Sequence, residues 1–521
     1  MQRQMTKYPI GIQNFESLRI DDYKYVDKTA YVYEMASTGR YYFLSRPRRF
    51  GKSLLLSTIE AYFEGKRELF KGLAIEKLEN EWKQYPILHI DLNAERYTDE
   101  QALTSMLHRH LTDWEHTYGH DNSEGSVSQR FAGVIRRAYE KTGLRVVILV
   151  DEYDKPMVTS LGNEQLQENL RDILKAFYGV LKSCDRYIRF AMLTGVTKFS
   201  KVSVFSDLNN LRDISMTESY TAVCGLTEQE IRDNMDGGVA LLAQKCGISK
   251  EECYAKLRTN YDGYHFRQNT TGVYNPFSVI NTMASQAFGD YWFETGTPTL
   301  LVTMLQTGGF SLDNMLAGEV STQMLGSIET MRDNPLPLLF QSGYLTIKDY
   351  NEEFDSYTLG FPNKEVENGF IKFLLPLYSN AETTDSRFAI QTFIREIRDG
   401  QPEAFMKRLS AMMADTDYRI VGNSELYFQN FCFLFFRLLG LYVEVERATS
   451  DGRADITITT RQYIYIIEMK LDGSAGEALS QIERKRYAAP FAANTQTTYN
   501  IGVNFSTKSR TITEWKISQG N

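Results

Sequence analysis

A Gly-Lys-Ser sequence near the N-terminus has the residue types that bind the phosphates of a nucleotide. The pattern over residues 41–56 predicts a strand, a loop and the start of a helix, with Gly51, Lys52 and Ser53 where the helix begins. In this setting the first amide groups of the helix face an anion, Lys52 reaches the β- and γ-phosphates, and the Ser53 hydroxyl ligates Mg²⁺. Arg46 stands where the motif G-x-x-x-x-G-K-[ST] has its first glycine. The sequence therefore predicts nucleotide binding, with an ordinary loop and a surface lysine as the alternative.

Acidic and hydroxyl side chains follow two later apolar runs. Residues 146–150 predict a buried strand that ends in Asp151 and Glu152, and residues 189–193 predict another that ends in Thr194. We expect Asp151 to hold Mg²⁺ through water, Glu152 to polarise the attacking water, and Thr194 to sense the γ-phosphate. Taken alone, the acidic pair is also typical of a helix N-cap. The order of these elements along the chain reinforces the prediction of a nucleotide site.

Arginine is concentrated in the predicted phosphate loop. Arg46, Arg48 and Arg49 lie close together, and such residues strengthen triphosphate binding or stabilise charge in the transition state. A solvated basic loop is the alternative. Arg212 is a candidate arginine finger, although the sequence gives no geometry for that role. We include Arg49 with Gly51 among the predicted nucleotide-binding residues.

Five short segments of the N-terminal half resemble the AAA-ATPase-like family of bacterial P-loop proteins. They are residues 8–11, 25–29, 46–53, 150–156 and 193–198, and the resemblance covers roughly residues 7–230. Arginine at the first glycine position belongs to that family's own pattern. The resemblance implies that ATP is the nucleotide, with Lys52, Ser53, Asp151 and Glu152 in the roles given above.

Two alternating segments near the C-terminus bring acidic and basic residues together. Residues 454–459 and 463–470 predict a β-hairpin that turns between Arg461 and Gln462, or through a longer symmetric loop of the same register, which places Asp455 opposite Glu468. Glu468 and Lys470 share a face because side chains alternate along a strand. Two carboxylates beside a lysine can hold a divalent metal and orient a water for attack on a phosphodiester. An exposed ribbon with a cross-strand salt bridge is the alternative.

Helices on either side of this hairpin supply further polar candidates. A predicted helix from Glu425 to Gly440 places Glu425 in its first turn as a third carboxylate. A downstream helix carries Gln481, and the basic residues 484–486 on it are available for phosphates or form a solvated face.

The spacing of these residues resembles the PD-(D/E)XK nuclease superfamily over roughly residues 395–505. The resemblance implies Glu425, Asp455 and Glu468 as ligands of Mg²⁺ or Mn²⁺. It implies Lys470 as the charge-stabilising and water-orienting residue and Gln481 as an accessory group. Some domains of the superfamily bind nucleic acid without cutting it, so a non-cleaving function stays open.

The elements that must position these residues fall into three patterns. Strands alternate with helices over residues 40–195, which predicts a parallel sheet covered on both faces. Residues 225–385 are mostly helical, with a strand pair at 344–348 and 356–359 that suggests a winged-helix arrangement. We therefore predict a multidomain α/β chain: a P-loop NTPase domain (1–225), a helical middle domain (226–390) and an α+β restriction-endonuclease-like domain (391–521).

Composition excludes several classes of protein. The chain has 521 residues and a net charge of −8, so it is not a generally basic protein that coats nucleic acid by charge alone. Five scattered cysteines without a C-x-x-C pair indicate neither a disulfide framework nor a zinc ribbon, and they favour a reducing cytoplasm. We find no export signal and no membrane span in the sequence.

These observations predict a cytoplasmic ATPase linked to a Mg²⁺- or Mn²⁺-dependent nuclease that acts on nucleic acid, with DNA favoured over RNA. The first alternative is an ATP-dependent signalling switch whose C-terminal domain binds nucleic acid without cleaving it. The second is a scaffold whose middle domain engages a protein partner. Self-association of the chain also stays open.

Overall fold

The computed structural model describes residues 6–198, 210–295, 312, 319–325, 335–378, 383–414, 424–440, 443–447, 455–492 and 494–520. The chain divides into two compact units, the first formed by Met1–Thr297 with Glu319–Val366 and the second by Pro298–Gly318 with Glu367–Asn521. The three-domain boundaries near residues 225 and 390 stay a prediction.

The first unit contains a five-stranded parallel sheet, as the alternating pattern predicts. The strands are β1 (Tyr41–Ser45), β2 (Ile87–Asp91), β3 (Val146–Asp151), β4 (Ile188–Gly195) and β5 (Arg212–Asp213). Their spatial order is β2-β3-β4-β1-β5. Every residue of β3 is buried, as expected for a central strand covered on both faces. The carboxyl ends of β1, β3 and β4, where the predicted nucleotide-site residues lie, are therefore at one edge of the sheet.

The described α-helices of this part of the chain precede β1 or lie between the strands. Their bounds are α1 (Phe15–Ile20), α2 (Thr29–Thr38), α3 (Lys52–Phe63), α4 (Glu100–Tyr118), α5 (Val127–Thr142), α6 (Lys155–Thr159) and α7 (Glu164–Ser183). Helix α7 begins at an Asn163 cap whose side chain accepts a hydrogen bond from the Leu166 amide. This is the strand–helix alternation of an α/β fold.

The rest of the first unit is mainly helical and carries a small antiparallel sheet. The helices that begin in it are α8 (Glu228–Cys246), α9 (Lys250–Tyr261), α10 (Pro276–Ser285), α11 (Tyr291–Thr295), α12 (Thr322–Leu325), α13 (Leu336–Gln341) and α14 (Lys364–Tyr378). The predicted strand pair is present as β7 (Thr346–Asn351) and β8 (Ser356–Gly360), and a third strand that we did not predict, β6 (Glu319–Ser321), pairs with β8. The winged-helix assignment stays a prediction.

The second unit contains a mixed five-stranded sheet. Its strands are β9 (Glu444–Arg447), β10 (Ile456–Thr459), β11 (Tyr463–Leu471), β12 (Thr497–Ser506) and β13 (Thr511–Gly520), in the spatial order β13-β12-β11-β10-β9. The helices of this unit are α15 (Thr383–Arg398), α16 (Pro402–Ala414), α17 (Ser424–Gly440) and α18 (Ala475–Lys485). Strands β11 and β12 are parallel, while the other neighbours are antiparallel. The α+β pattern is therefore confirmed.

The predicted hairpin register is also confirmed. Ile456 pairs with Ile467 and Thr459 with Ile464, which is the register that sets Asp455 opposite Glu468. The Thr460 amide donates a hydrogen bond to the Tyr463 carbonyl at 2.8 Å, so the strands are joined by the tight turn rather than by the longer loop.

No helix within the described ranges is long and apolar enough to cross a membrane.

Candidate functional sites

The predicted phosphate loop joins the end of β1 to the start of α3. Gly51, the residue before α3, has φ of +95°, a left-handed conformation that glycine adopts without strain. Ser53 lies in the first turn of α3, so its hydroxyl stands near the free amide groups of the helix start. The strand–loop–helix geometry required by the motif is present.

Lys52 is folded back over the phosphate loop. Its side chain is 4% exposed, and its Nζ donates hydrogen bonds to the carbonyl oxygens of Arg46 at 3.1 Å and Pro47 at 3.3 Å. The same nitrogen lies 3.6 Å from Glu152 Oε1. The structure therefore brings Lys52 and Glu152, which the sequence separates by about 100 positions, into one ion pair.

A hydroxyl from β4 orients the acidic residue that ends β3. The Thr194 Oγ1 donates a hydrogen bond to Asp151 Oδ1 at 2.6 Å, and both side chains are buried. Glu152 follows with φ of +54°, a conformation that side-chain-bearing residues adopt rarely and that is common at functional sites. Thr194 thus contacts the acid directly, a role that the sequence analysis did not specify.

Sequence reasoning missed Asp154, which ties the segment after β3 to the end of β4. Its carboxylate accepts hydrogen bonds from the Thr197 amide at 2.6 Å, from the Thr197 hydroxyl and from the Val196 amide. Burial, and then the charge of Glu152, raise the pKa of Asp154 to about 6. A side chain at Gly195 would lie 2.5 Å from the Asp154 carboxylate, so the site requires glycine there. The sequence signals were a further acid three positions after Asp151 and its place in the family-like segment 150–156.

The three arginines of the phosphate loop differ in exposure and in the groups that they contact. Arg48 and Arg49 are exposed, and the Arg49 guanidinium lies over the Phe277 ring at 5.1 Å. Arg46 is 1% exposed and hydrogen-bonded to main-chain carbonyls. The expectation that all three face phosphates is therefore wrong for Arg46, because its side chain turns into the protein interior. Arg212 is exposed and lies beside Tyr42, near the opposite end of β1 from the loop.

An apolar pocket opens beside Gly51 and the first turns of α3. Its lining includes Pro9, Tyr25, Val26, Leu226 and Ile280. Such a lining suits a flat, weakly polar group rather than phosphates.

The hairpin of the second unit carries a polar network on its buried face. Glu468 Oε1 accepts hydrogen bonds from Lys470 Nζ at 3.2 Å and from Gln481 Nε2, while Lys470 Nζ also donates to Gln481 Oε1 at 2.6 Å. The Asp455 carboxylate accepts a hydrogen bond from the Met469 amide at 2.8 Å. The structure thus brings Asp455, Glu468, Lys470 and Gln481 to one end of the hairpin.

The second oxygen of Glu468 is the distinctive atom of this network. The side chain is 3% exposed, and Oε2 is buried with no hydrogen-bond partner. Burial, and next the charge of Asp455, raise the pKa of Glu468, although the hydrogen bond from Lys470 opposes this shift. A buried unpartnered carboxylate oxygen is costly, and hard cations such as Mg²⁺ and Mn²⁺ prefer carboxylate ligands. The residues present therefore fit a divalent metal.

The third predicted ligand, Glu425, lies in α17, but its side chain is outside the described part of the chain. Within that part, no group of three or more His, Cys, Asp or Glu side chains is placed to hold a metal. The described carboxylates of the predicted set are Asp455 and Glu468.

Close backbone packing sets the position of Gln481. Glycine at 502 is the register partner of Glu468, and a Cβ there would lie 2.6 Å from the Leu479 amide nitrogen and still closer to the Ala475 carbonyl. Helix α18 therefore packs directly on β12, with Gln481 facing Glu468.

Two family models match the parts of the chain that carry these two candidate sites. One family model, described as a predicted AAA-ATPase, matches residues 9–205, and another, the PD-(D/E)XK nuclease superfamily, matches residues 423–515. A protein of Azotobacter chroococcum mcd 1, described as an uncharacterized protein in the vnfD 5′ region, is 36% identical over an alignment 520 positions long, and the alignment covers 97% of this chain and 98% of that relative. The chain therefore belongs to the AAA-ATPase-like family and carries a C-terminal domain of the PD-(D/E)XK nuclease superfamily.

Proposed function

We propose that this protein is an ATPase whose nucleotide state controls a Mg²⁺- or Mn²⁺-dependent nuclease in the second unit, with DNA as the substrate. The observation that carries the proposal is the Glu468 carboxylate. One of its oxygens is bound by Lys470 and Gln481, and the other is buried without a partner.

In the nucleotide site, Lys52, held by its hydrogen bonds to the Arg46 and Pro47 carbonyls, uses its remaining donor capacity for the β- and γ-phosphates of ATP, and the Ser53 hydroxyl ligates Mg²⁺. Asp151, held by Thr194, supports the same ion through water. Glu152 orients the attacking water and accepts its proton. The ion pair between Lys52 and Glu152 supports these roles, because it keeps both groups beside the phosphate loop.

Two neighbouring features complete this site. The exposed Arg49 side chain contacts the phosphates, and the apolar pocket beside Gly51 receives the base of the nucleotide. The pocket supports this assignment because it adjoins the loop and offers mainly apolar contacts.

In the nuclease site, Asp455, Glu468 and Glu425 hold the metal ion. A bound Mg²⁺ or Mn²⁺ supplies Lewis-acid activation of the phosphoryl group and lowers the pKa of a ligated water. The Lys470 ammonium orients the attacking water and offsets developing negative charge. Gln481 bridges Glu468 and Lys470 and keeps both side chains in place.

Basic residues near this network are candidates for binding the nucleic-acid backbone. Arg484 and Lys485 are exposed in the last turn of α18, about one turn beyond Gln481. Because the whole chain has a net charge of −8, phosphate contacts must come from such local groups.

None of the five cysteines forms a disulfide, which is typical of proteins in a reducing cytoplasm. We retain the division into domains 1–225, 226–390 and 391–521, and we propose self-association or a protein partner for the middle domain.

The test uses the purified full chain with circular and linear DNA, and with RNA, in Mg²⁺ or Mn²⁺, with and without ATP. We expect DNA cleavage that is lost in Lys470→Ala and kept in Lys516→Ala, whose exposed lysine lies on β13. We expect the effect of ATP to be lost in Lys52→Ala and kept in Lys66→Ala, which removes a half-exposed lysine paired with Glu16.

The alternative function is a binding switch. It would be favoured by ATP turnover and DNA binding without cleavage of any substrate. Cleavage of RNA alone would keep the nuclease and replace its proposed substrate.

A further inference from the structure

Arg46 makes a set of interior contacts that glycine at the same position could not make. Its Nη1 donates hydrogen bonds to the carbonyls of Ser45 at 2.9 Å and Ser215 at 2.6 Å, and its Nη2 donates to the Tyr220 carbonyl at 3.1 Å. The guanidinium also lies 3.9 Å from the centre of the Phe266 ring. One side chain therefore connects the phosphate loop to two distant segments of the first unit.

Burying this cation has an energetic cost. The side chain is 1% exposed, its Nε has no hydrogen-bond partner, and burial lowers the pKa of Arg46 to about 10. A charge in such surroundings is retained only where other interactions compensate. The contacts with Ser215, Tyr220 and Phe266 provide that compensation.

The main chain of Arg46 links the same residue to the nucleotide site. Its amide donates a hydrogen bond to the Gly195 carbonyl at 3.1 Å, at the end of β4. Its carbonyl accepts a hydrogen bond from Lys52 Nζ at 3.1 Å. The contacts of the Arg46 side chain therefore fix the position of the Arg46 carbonyl, which accepts a hydrogen bond from Lys52, relative to the end of β4.

The neighbouring loop residues are fixed in the same way. Phe50 contacts the rings of Tyr264 and Phe266, and the Arg48 carbonyl accepts a hydrogen bond from Trp292 Nε1 at 3.0 Å. Contacts with residues outside the loop therefore hold the loop at both ends. Its position does not depend on a glycine at the first position of the motif.

We propose that Arg46 is a positioning residue for nucleotide binding, which acts through Lys52 by holding the phosphate loop against residues 215–220 and Phe266. This inference rests on the proposed ATP site. If Arg46 has this role, Arg46→Gly weakens ATP binding, although it restores the first glycine of the motif G-x-x-x-x-G-K-[ST]. The motif by itself predicts that this change causes no loss of ATP affinity.

Arg40 provides a matched control at the other end of the same strand. It precedes β1, and its Nη2 donates to the Ile188 carbonyl at 2.8 Å and the Asp185 carbonyl at 3.3 Å. Arg40 therefore also ties β1 to its neighbours, but far from Lys52. A purely structural role would give Arg40→Gly and Arg46→Gly the same consequences.

The experiment measures the ATP dissociation constant of the full chain by calorimetry and its unfolding temperature. We expect Arg46→Gly to weaken ATP binding about tenfold, a loss of ~1.4 kcal/mol, and Arg46→Lys to recover part of the affinity. Arg40→Gly should lower the unfolding temperature with unchanged affinity. In a Lys52→Ala background, Arg46→Gly should add no further loss, because the effect passes through Lys52.

Equal ATP affinity in wild type and Arg46→Gly would overturn the inference, as would an equal loss in Arg40→Gly or an additive effect in the double variant. Arg46→Lys keeps the test decisive if Arg46→Gly does not fold, because it too should weaken ATP binding. If wild type does not bind ATP and Lys52→Ala changes nothing, the proposed function fails, and the inference fails with it.

Discussion

Replacing Gly502 with alanine is a direct test of how the nuclease site is positioned. The new Cβ would lie 2.6 Å from the Leu479 amide nitrogen and closer still to the Ala475 carbonyl. Both atoms belong to the α18 backbone, so no side-chain rotation relieves the overlap. Restoring an ordinary contact of about 3.5 Å requires α18 to retreat by about 1 Å, and Gln481 moves with it.

The expected magnitude follows from this displacement. Overpacking of this kind costs about 1–3 kcal/mol, which lowers the unfolding temperature of the second unit by about 2–4 °C for each kcal/mol. Displacing groups of an active site by about 1 Å lowers the rate by about 100-fold. We therefore expect Gly502→Ala to lower the melting temperature and to abolish most Mn²⁺-dependent DNA cleavage.

Gly476→Ala on the same helix is the matched control. Its nearest neighbour would be the Lys516 Nζ at 3.3 Å, the end of a flexible and exposed side chain. Alanine favours a helix by up to about 1 kcal/mol over glycine, so stability should rise or stay constant and cleavage should persist. Wild-type melting and cleavage in Gly502→Ala, or equal damage in Gly476→Ala, would refute the argument.

Three further predictions concern single contacts. Thr194→Val removes the hydrogen bond to Asp151 and should lower ATP turnover, while Thr194→Ser should keep it, as measured by phosphate release. Glu468→Gln should abolish Mn²⁺ binding by calorimetry yet raise the unfolding temperature, because it removes a buried charge whose pKa burial raises. Between about pH 4 and about pH 6, the folded chain retains a proton on Asp154 that the unfolded chain releases. The free energy of unfolding should therefore fall as pH rises through this window, and Asp154→Asn should flatten that slope in denaturant titrations.

The sequence predicted those features that depend on local periodicity. The register that sets Asp455 opposite Glu468 followed from strict alternation on both sides of a short turn, because a slip of one residue would expose the buried isoleucines. The parallel sheet followed from alternating strands and helices. Short strands such as β6 and β9 were missed, because three or four residues carry little pattern and form by pairing with distant strands, β8 and β10. The ten-residue strands β12 and β13 were also not predicted.

The course of the Arg46 side chain could not be predicted in this way. Its partners, Ser215, Tyr220 and Phe266, lie about 170–220 positions away in sequence, and no period links them to the phosphate loop. Three neighbouring arginines therefore suggested a common basic surface, whereas tertiary packing separates the first from the other two. The residue type gives the charge of a side chain. The direction in which the side chain points depends on the space left between segments that are distant in sequence.

The two sites are built in a similar way. This explains why the sequence predicted their acidic residues more readily than the polar groups that orient them. An acid at the end of a buried run of strand residues, Asp151 or Glu468, is oriented by a polar group of a packed neighbour, Thr194 or Gln481. The acids were identifiable because charge follows an apolar run. In the second unit the supporting group depends on a close backbone approach that Gly502 permits on the neighbouring strand, and in the first unit Gly195, the residue after Thr194, leaves room for the Tyr153 and Asp154 side chains. A glycine inside an otherwise β-branched or apolar strand indicates such an approach, so the sequence signal for the supporting groups lies in the glycines rather than in the polar residues themselves.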